Sequence, residues 1–204
     1  MKKVILFLVL TTTVASFSHA QSVKLGLRTG ANLSNYVGDG TRIFKTAFNT
    51  KPTSQFGLHG GLTLNAPLTS GGFLSLQPEL LYSQRGFRLE GNGIKHSVRE
   101  HYIDLPVLAR INADGHIFEA GPQIGYLVAA TIKEDDNAPG NIVGSYRRTE
   151  VGYLAGVGYQ FTSGPSVTIR YNGGISAIKG YDTDDSKTRH SVFHFSLGYA
   201  FGGE

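Results

Sequence analysis

An all-β fold is predicted from the sequence: eight antiparallel strands closed into an up-and-down transmembrane barrel. Three observations carry this reading. Large apolar residues alternate with polar or small ones over most of the chain after Gln21, which is the period of a strand with one greasy face. The connections alternate between short turns and long polar loops, the layout of a barrel with unequal rims. Glycine supplies 27 of 204 residues, roughly twice the usual share, without the spacing of collagen.

The chain opens with MKKVILFLVLTTTVASFSHA. Lys2 and Lys3, the apolar run 4–10 and the small-x-small end at Ala20 read as a secretory signal peptide over 1–20. The apolar run is far short of the ~20 residues a helical span needs. Residues 21–204 then form the barrel domain. Losing Lys2 and Lys3 leaves 17 Lys and Arg against 15 Asp and Glu, so the formal charge falls from +4 to +2. That balance gives no warrant for a nucleic-acid partner. An exported chain with no later long apolar stretch is either soluble or crosses a membrane as a barrel.

The strands follow in order. The first puts Val23, Leu25, Leu27, Ala31 and Leu33 on one face, and the second Phe56, Leu58, Leu62 and Leu64. The third carries Leu74, Leu76, Leu80 and Tyr82, and the fourth Ile103, Leu105, Val107, Ala109 and Ile111. The fifth carries Phe118, Ala120, Ile124 and Tyr126, and the sixth runs from Val151 to Phe161 at odd positions. The seventh carries Val167, Ile169, Tyr171 and Ile175, and the eighth Phe193, Phe195, Leu197, Tyr199 and Phe201. Short turns are read at 67–72, 112–115 and 162–165, and long loops at 34–54, 86–99, 129–146 and 177–188. An even strand number sets both termini on the short-turn side, the periplasm, with the long loops outside. Pro78, Pro106 and Pro122 fall inside strands, where a missing N–H breaks the ladder, and are read as bulges.

Alternation alone does not say which face is the core, because a lipocalin puts its apolar face inside. Here the opposite face is rich in glycine and in charges of both signs: Arg28, Glu79, Asp104, Arg110, Glu119, Glu150 and Arg170. Within a narrow eight-stranded barrel glycines make room for long side chains, and opposite charges satisfy one another. These seven residues are therefore read as a structural polar network filling the lumen. Aromatic residues cluster at strand ends: Phe118, Tyr159, Phe161, Tyr199 and Phe201 toward one rim, Tyr82 and Tyr126, with Phe56 and Phe193, toward the other. They are read as two interfacial girdles.

The mature chain resembles the PorT-like outer-membrane β-barrel family of Bacteroidota over nearly its whole length. The segments that carry this are VKLGLRTGANLSN at 23–35, SLQPELLYSQRGF at 75–87, HYIDLPVLARI at 101–111, EAGPQIGYLV at 119–128, VGYLAGVGYQF at 151–161 and RYNGGIS at 170–176. The resemblance implies an integral barrel in the outer membrane of a Gram-negative bacterium. Some relatives are linked to export of proteins with a C-terminal sorting domain, and most have no assigned activity. Gln77, Pro78, Glu79 and the stretch 104–106 are shared positions that look architectural, and no catalytic residue carries over.

Other chemistry is poorly supported. With no cysteine, a disulfide scaffold, a thiolate zinc site, a Cys nucleophile and a lipidated N-terminal Cys are excluded. His96, Glu100 and His101 miss the spacing of the inverted zinc-protease motif, and alternation sends Glu100 and His101 to opposite faces. Asp182, Asp184 and Asp185 lack the Gly and closing Glu of an EF-hand loop. Ser83, His59 and Asp104 supply triad residue types without forcing a triad. No metal, cofactor or catalytic residue is assigned. The reading is a non-enzymatic outer-membrane barrel with a plugged polar lumen. Its surroundings are outer-membrane lipid, and its loops, with Arg42, Lys45 and Lys51 in the first and Lys133 to Asp136 in the third, serve surface interaction or an envelope assembly such as protein secretion. The rivals are a soluble lipocalin-like binder of an apolar ligand, a small passive channel and an outer-membrane lipid enzyme.

Overall fold

The computed structural model describes residues 23–201 apart from positions 43, 45, 47, 48, 92, 93, 135–137, 181, 184 and 185. The leader read over 1–20 lies outside the described residues, as do Lys45, Asp136, Asp184 and Asp185. The strands are Lys24–Val37 (β1), Thr53–Pro67 (β2), Leu74–Gly91 (β3), Ile94–Ala113 (β4), His116–Glu134 (β5), Gly140–Asn141 (β6), Thr149–Gln160 (β7), Pro165–Gly174 (β8) and Arg189–Ala200 (β9). β6 is a two-residue flap on β5. The other eight form an antiparallel ring in which each strand pairs with its sequence neighbour, β5 with β7, and β9 with β1. Closure leaves no unpaired edge within the ring.

The period-2 pattern is realised as two opposed faces. Large apolar side chains point outward and are exposed, Leu197 at 61% and Phe56 at 57% among them. Their neighbours point inward and are buried. A continuous apolar outer wall of this extent requires an apolar medium around it. The turn joining β4 to β5 shows how local sequence sets the register. Asp114 and Gly115 both take positive φ, 51° and 89°, between the paired Ala113 and His116. An Asp-Gly pair suits a two-residue hairpin turn whose twist matches the strands, and the Asn112 side chain accepts the Gly115 N–H at 3.0 Å.

Three sequence expectations are corrected. The segment 86–99 is not a long loop: β3 and β4 stay paired from Gly86 opposite Arg99 out to Gly91 opposite Ile94. Its residues, such as Phe87 and Val98, keep the alternation, but inward-facing apolar residues there disguise it. The prolines do not mark bulges. Pairing lapses at Glu79 and Leu80 opposite Leu105 and Pro106, and at Val107 and Leu108 opposite Gly121 and Pro122, then resumes in the same register. The true irregularities lie between Ser54 and His59 of β2, and where His101 and Tyr102 of β4 face β5. Finally, the interior is not polar throughout, because Leu81, Leu108, Ile117, Leu127, Leu154 and Val192 all face the lumen.

Candidate functional site in the barrel lumen

The lumen is filled in layers from the end bearing the termini toward the end bearing the long loops. Nearest the termini, Arg110 of β4 lies between Gln77 and Gln160, donating to their side-chain oxygens at 2.9 and 2.7 Å. It forms one wall of an open cavity of about 590 Å³.

Above it sits a charged quartet contributed by four strands. Arg170 of β8 donates from both terminal nitrogens to the two carboxylate oxygens of Glu79, each at 2.8 Å, and its Nε bonds Glu119. Arg28 of β1 lies 3.3 Å from Glu79 and donates to Thr168 at 2.7 Å. Space for Arg170 comes from Gly156 opposite it: a Cβ there would meet Arg170 Cγ at 2.7 Å. Glycine is thus demanded by the stem of Arg170 and the Ile169 carbonyl beside it rather than by its own φ.

The next layer contains a hydrogen-bonded Ser–His–Asn row. Ser196 Oγ lies 2.9 Å from His59 Nε2, and His59 Nδ1 lies 2.6 Å from Asn32 Oδ1. That is the order of nucleophile, base and orienting group. All three are buried, and the terminal-end cavity reaches Ser166 and Gly198 without reaching Ser196. The row therefore has the connectivity of acyl-transfer machinery, set back from the terminal-end cavity.

A second charged cluster lies above. Arg85 bridges Glu150 at 2.9 Å and Asp104 at 2.5 Å, and Ser83 bonds the same Asp104 oxygen. His190 stands between Glu100 at 2.7 Å and Glu150 at 3.0 Å. Tyr36 bonds both Glu100 and the Tyr146 hydroxyl. Gly125 makes room here too, since a Cβ would meet Asp104 at 2.7 Å.

An apolar and aromatic cap sits at the long-loop end. Tyr36, Phe44, Phe87, Leu89, Val98, Tyr102, Leu127, Ala130, Tyr146 and Ile178 pack into one buried cluster. The loop after β8 enters this cluster and brings Lys179, whose Nζ lies 3.6 Å from the centre of the Tyr146 ring and 5.1 Å from that of Tyr36. Ring faces attract such a cation. Burial nevertheless pushes the Lys179 amine down to about 8, against the pull of Glu100 and Asp182. Asp182 is buried, accepting the Lys179 N–H at 3.1 Å and the Thr188 N–H and hydroxyl at 3.0 Å. It pins the loop.

All seven residues read as a lumen network, Arg28, Glu79, Asp104, Arg110, Glu119, Glu150 and Arg170, are buried, none more than 7% exposed. The structure divides them between the two charged clusters, with Arg110 apart from both. The aromatic residues Tyr82, Phe118, Tyr126, Tyr159, Phe161, Tyr199 and Phe201 all point outward. Tyr159 packs edge-on against Phe161, and Tyr199 against Phe201. Phe193 lies further along the barrel, beside Tyr171. Glu100 and His101 do face opposite sides of β4, His101 meeting Tyr82 at 2.5 Å. No group of metal-ligating side chains occurs among the described residues.

Sequence reasoning missed Arg85, Glu100, His190, Tyr36 and Lys179. The first four share the inward parity of their strands: Arg85, Glu100 and His190 stand just outside the segments read as loops, and Tyr36 is reached once β1 is extended past 34. Lys179 reaches the lumen from a loop, where parity carries no information.

The family model for the outer membrane protein beta-barrel domain matches residues 19–180. The chain belongs to that family. None of the curated proteins matches the chain. Among solved structures, Neisserial surface protein A is 11% identical, covering 89% of this chain and 100% of that one, with a TM-score of 0.54. Ail of Yersinia pestis, crystallised with sucrose octasulfate, is 13% identical over 89% and 100%, with a TM-score of 0.49. OprG of Pseudomonas aeruginosa is 14% identical over 90% and 98%, with a TM-score of 0.44. At these identities the likeness to the Neisserial protein shows a shared fold. The chain is an integral outer-membrane β-barrel, and its apolar wall lies in outer-membrane lipid.

Proposed function

We propose that this protein is a non-enzymatic outer-membrane barrel with a closed lumen, acting through its long-loop end. The observation that carries the reading is the sequence of layers within the ring. Two ion-paired clusters and an aromatic cap occupy the space through which a solute would pass. An eight-stranded ring has just enough interior for side chains to fill. Ions would have to break paired buried charges to cross.

The signal peptide over 1–20 delivers the chain to the envelope. Both termini then lie in the periplasm and the long loops outside, the orientation that export and hairpin-wise insertion produce. The outward aromatic residues at the strand ends serve as interfacial girdles. The resemblance to the PorT-like family of Bacteroidota supports a role in an envelope assembly such as protein secretion, with partners among envelope or secretion-system proteins.

Conductance across a planar bilayer tests the closed lumen. The purified barrel is expected to give no channel steps above the lipid baseline in 1 M salt. Steady, protein-dependent steps would replace the plug with a passive channel.

A further inference from the structure

We propose that the cavity at the short-turn end is a binding site for a small soluble oxyanion, a carboxylate or a phosphate, with Arg110 as its anchor.

Charge accounting inside the barrel points there. Glu79 and Glu119 are both engaged by Arg170, and Arg28 shares them. Three guanidiniums thus meet two carboxylates, and Arg110 is the one left over. Its side-chain contacts are to the neutral oxygens of Gln77 and Gln160, and it forms no ion pair among the described residues. A guanidinium carries five N–H donors in a planar fork suited to oxyanions. Two are committed here. Glu119, the cross-strand partner of Arg110, and Glu79 attract it, but Arg170 holds both carboxylates and neither contacts Arg110. A cation taken largely out of water without a direct ionic contact is costly, and a bound anion would reduce that cost.

The cavity has the size and lining for such a guest. At about 590 Å³ it falls in the range of small-ligand sites. Lys24 and Arg28 add positive charge to Arg110, while Asp114 is the single acidic residue in its wall. Asn65, Gln77, Asn112 and Gln160 place side-chain amides around the same space. The opening faces the compartment that holds the chain termini, and the barrel wall separates it from lipid.

The test is a titration of the ¹⁵N-labelled barrel in phosphatidylcholine nanodiscs with inorganic phosphate, against chloride at equal ionic strength. Citrate is titrated in parallel. Saturable shifts are expected at the amides of Gly115, Gln160 and Ser166, with none at Phe87 or Val98. Arg110→Gln should weaken binding roughly tenfold or more, as loss of a charge-assisted fork implies. Because Arg110 also braces two glutamines, Lys24→Glu at the rim is a second variant, and it should weaken binding severalfold with the barrel intact. Shifts that do not saturate, or an affinity unchanged in a folded variant of either kind, would overturn the proposal. The same shifts produced by adding phosphatidylglycerol to the disc, without phosphate, would overturn the soluble source.

Discussion

Arg170 grips both carboxylate oxygens of Glu79 at 2.8 Å across the inside of the barrel, from β8 to β3. These strands are not neighbours in the ring. The pair is therefore a strut between opposite walls. Both side chains are fully enclosed, so the pair contributes less by its attraction than each partner would cost alone. Glu79→Ala and Arg170→Ala should each lower unfolding stability by ~3–5 kcal/mol, since each strands a buried charge. The double variant should lose less than the sum. Urea unfolding in lipid vesicles measures all three, and unchanged midpoints in both single variants would remove the strut from the account.

Gly156 is predicted to be as sensitive as the charges it faces. A side chain there would collide with Arg170 and with the Ile169 carbonyl, 2.9 Å from the Cβ position. Gly156→Leu should give a barrel that loses its heat-shifted band at a lower temperature than the native one. The loss should approach that of Arg170→Ala, and the combined loss should be less than the sum, because only the collision with the Ile169 carbonyl survives removal of the Arg170 side chain. Additive losses in the combined variant would show that Gly156 acts by another route.

Much of this architecture was readable in advance because a barrel wall obeys one rule, parity, from rim to rim. Arg28, Glu79 and Arg170 fall on the inward parity of strands whose outward residues are large and apolar. The rule inverts beyond the membrane-like wall. Phe87, Leu89 and Val98 face inward there while Arg88, Glu90 and Arg99 face outward, so apolar residues change parity and the paired strands look like a loop. It fails for Lys179, which no strand positions. Nor does it report contact: His59 and Ser196 are 137 residues apart, and only ring closure between β9 and β1 brings them together.

Lys179 gives a pH dependence of definite sign. Its amine titrates near 8 in the folded barrel because burial disfavours the cation, against an unperturbed value of 10.5. Between these values the unfolded chain holds more protons, so raising the pH favours the fold, and the gain is complete above the unfolded value. Below about 8 both states are protonated and the penalty is constant. The native protein should therefore gain stability relative to Lys179→Met as pH rises from 7.5 to 10. Parallel urea midpoints at the two pH values measure this, and a constant difference would mean that the amine is not held in the aromatic cap.

Ser196 is predicted to be unreactive despite its partners. Its hydroxyl has a base at 2.9 Å and the base has an orienting amide at 2.6 Å. What it lacks is access, since the charged quartet lies between it and the terminal-end cavity, and the second charged cluster and the cap lie on the other side. Incubation with a fluorophosphonate should leave the mass of the folded protein unchanged. Ser196→Ala should cost on the order of 1 kcal/mol, the size of a buried hydrogen bond. A stoichiometric adduct on Ser196, lost in His59→Ala, would instead reveal a hydrolase and a route into the lumen past those layers.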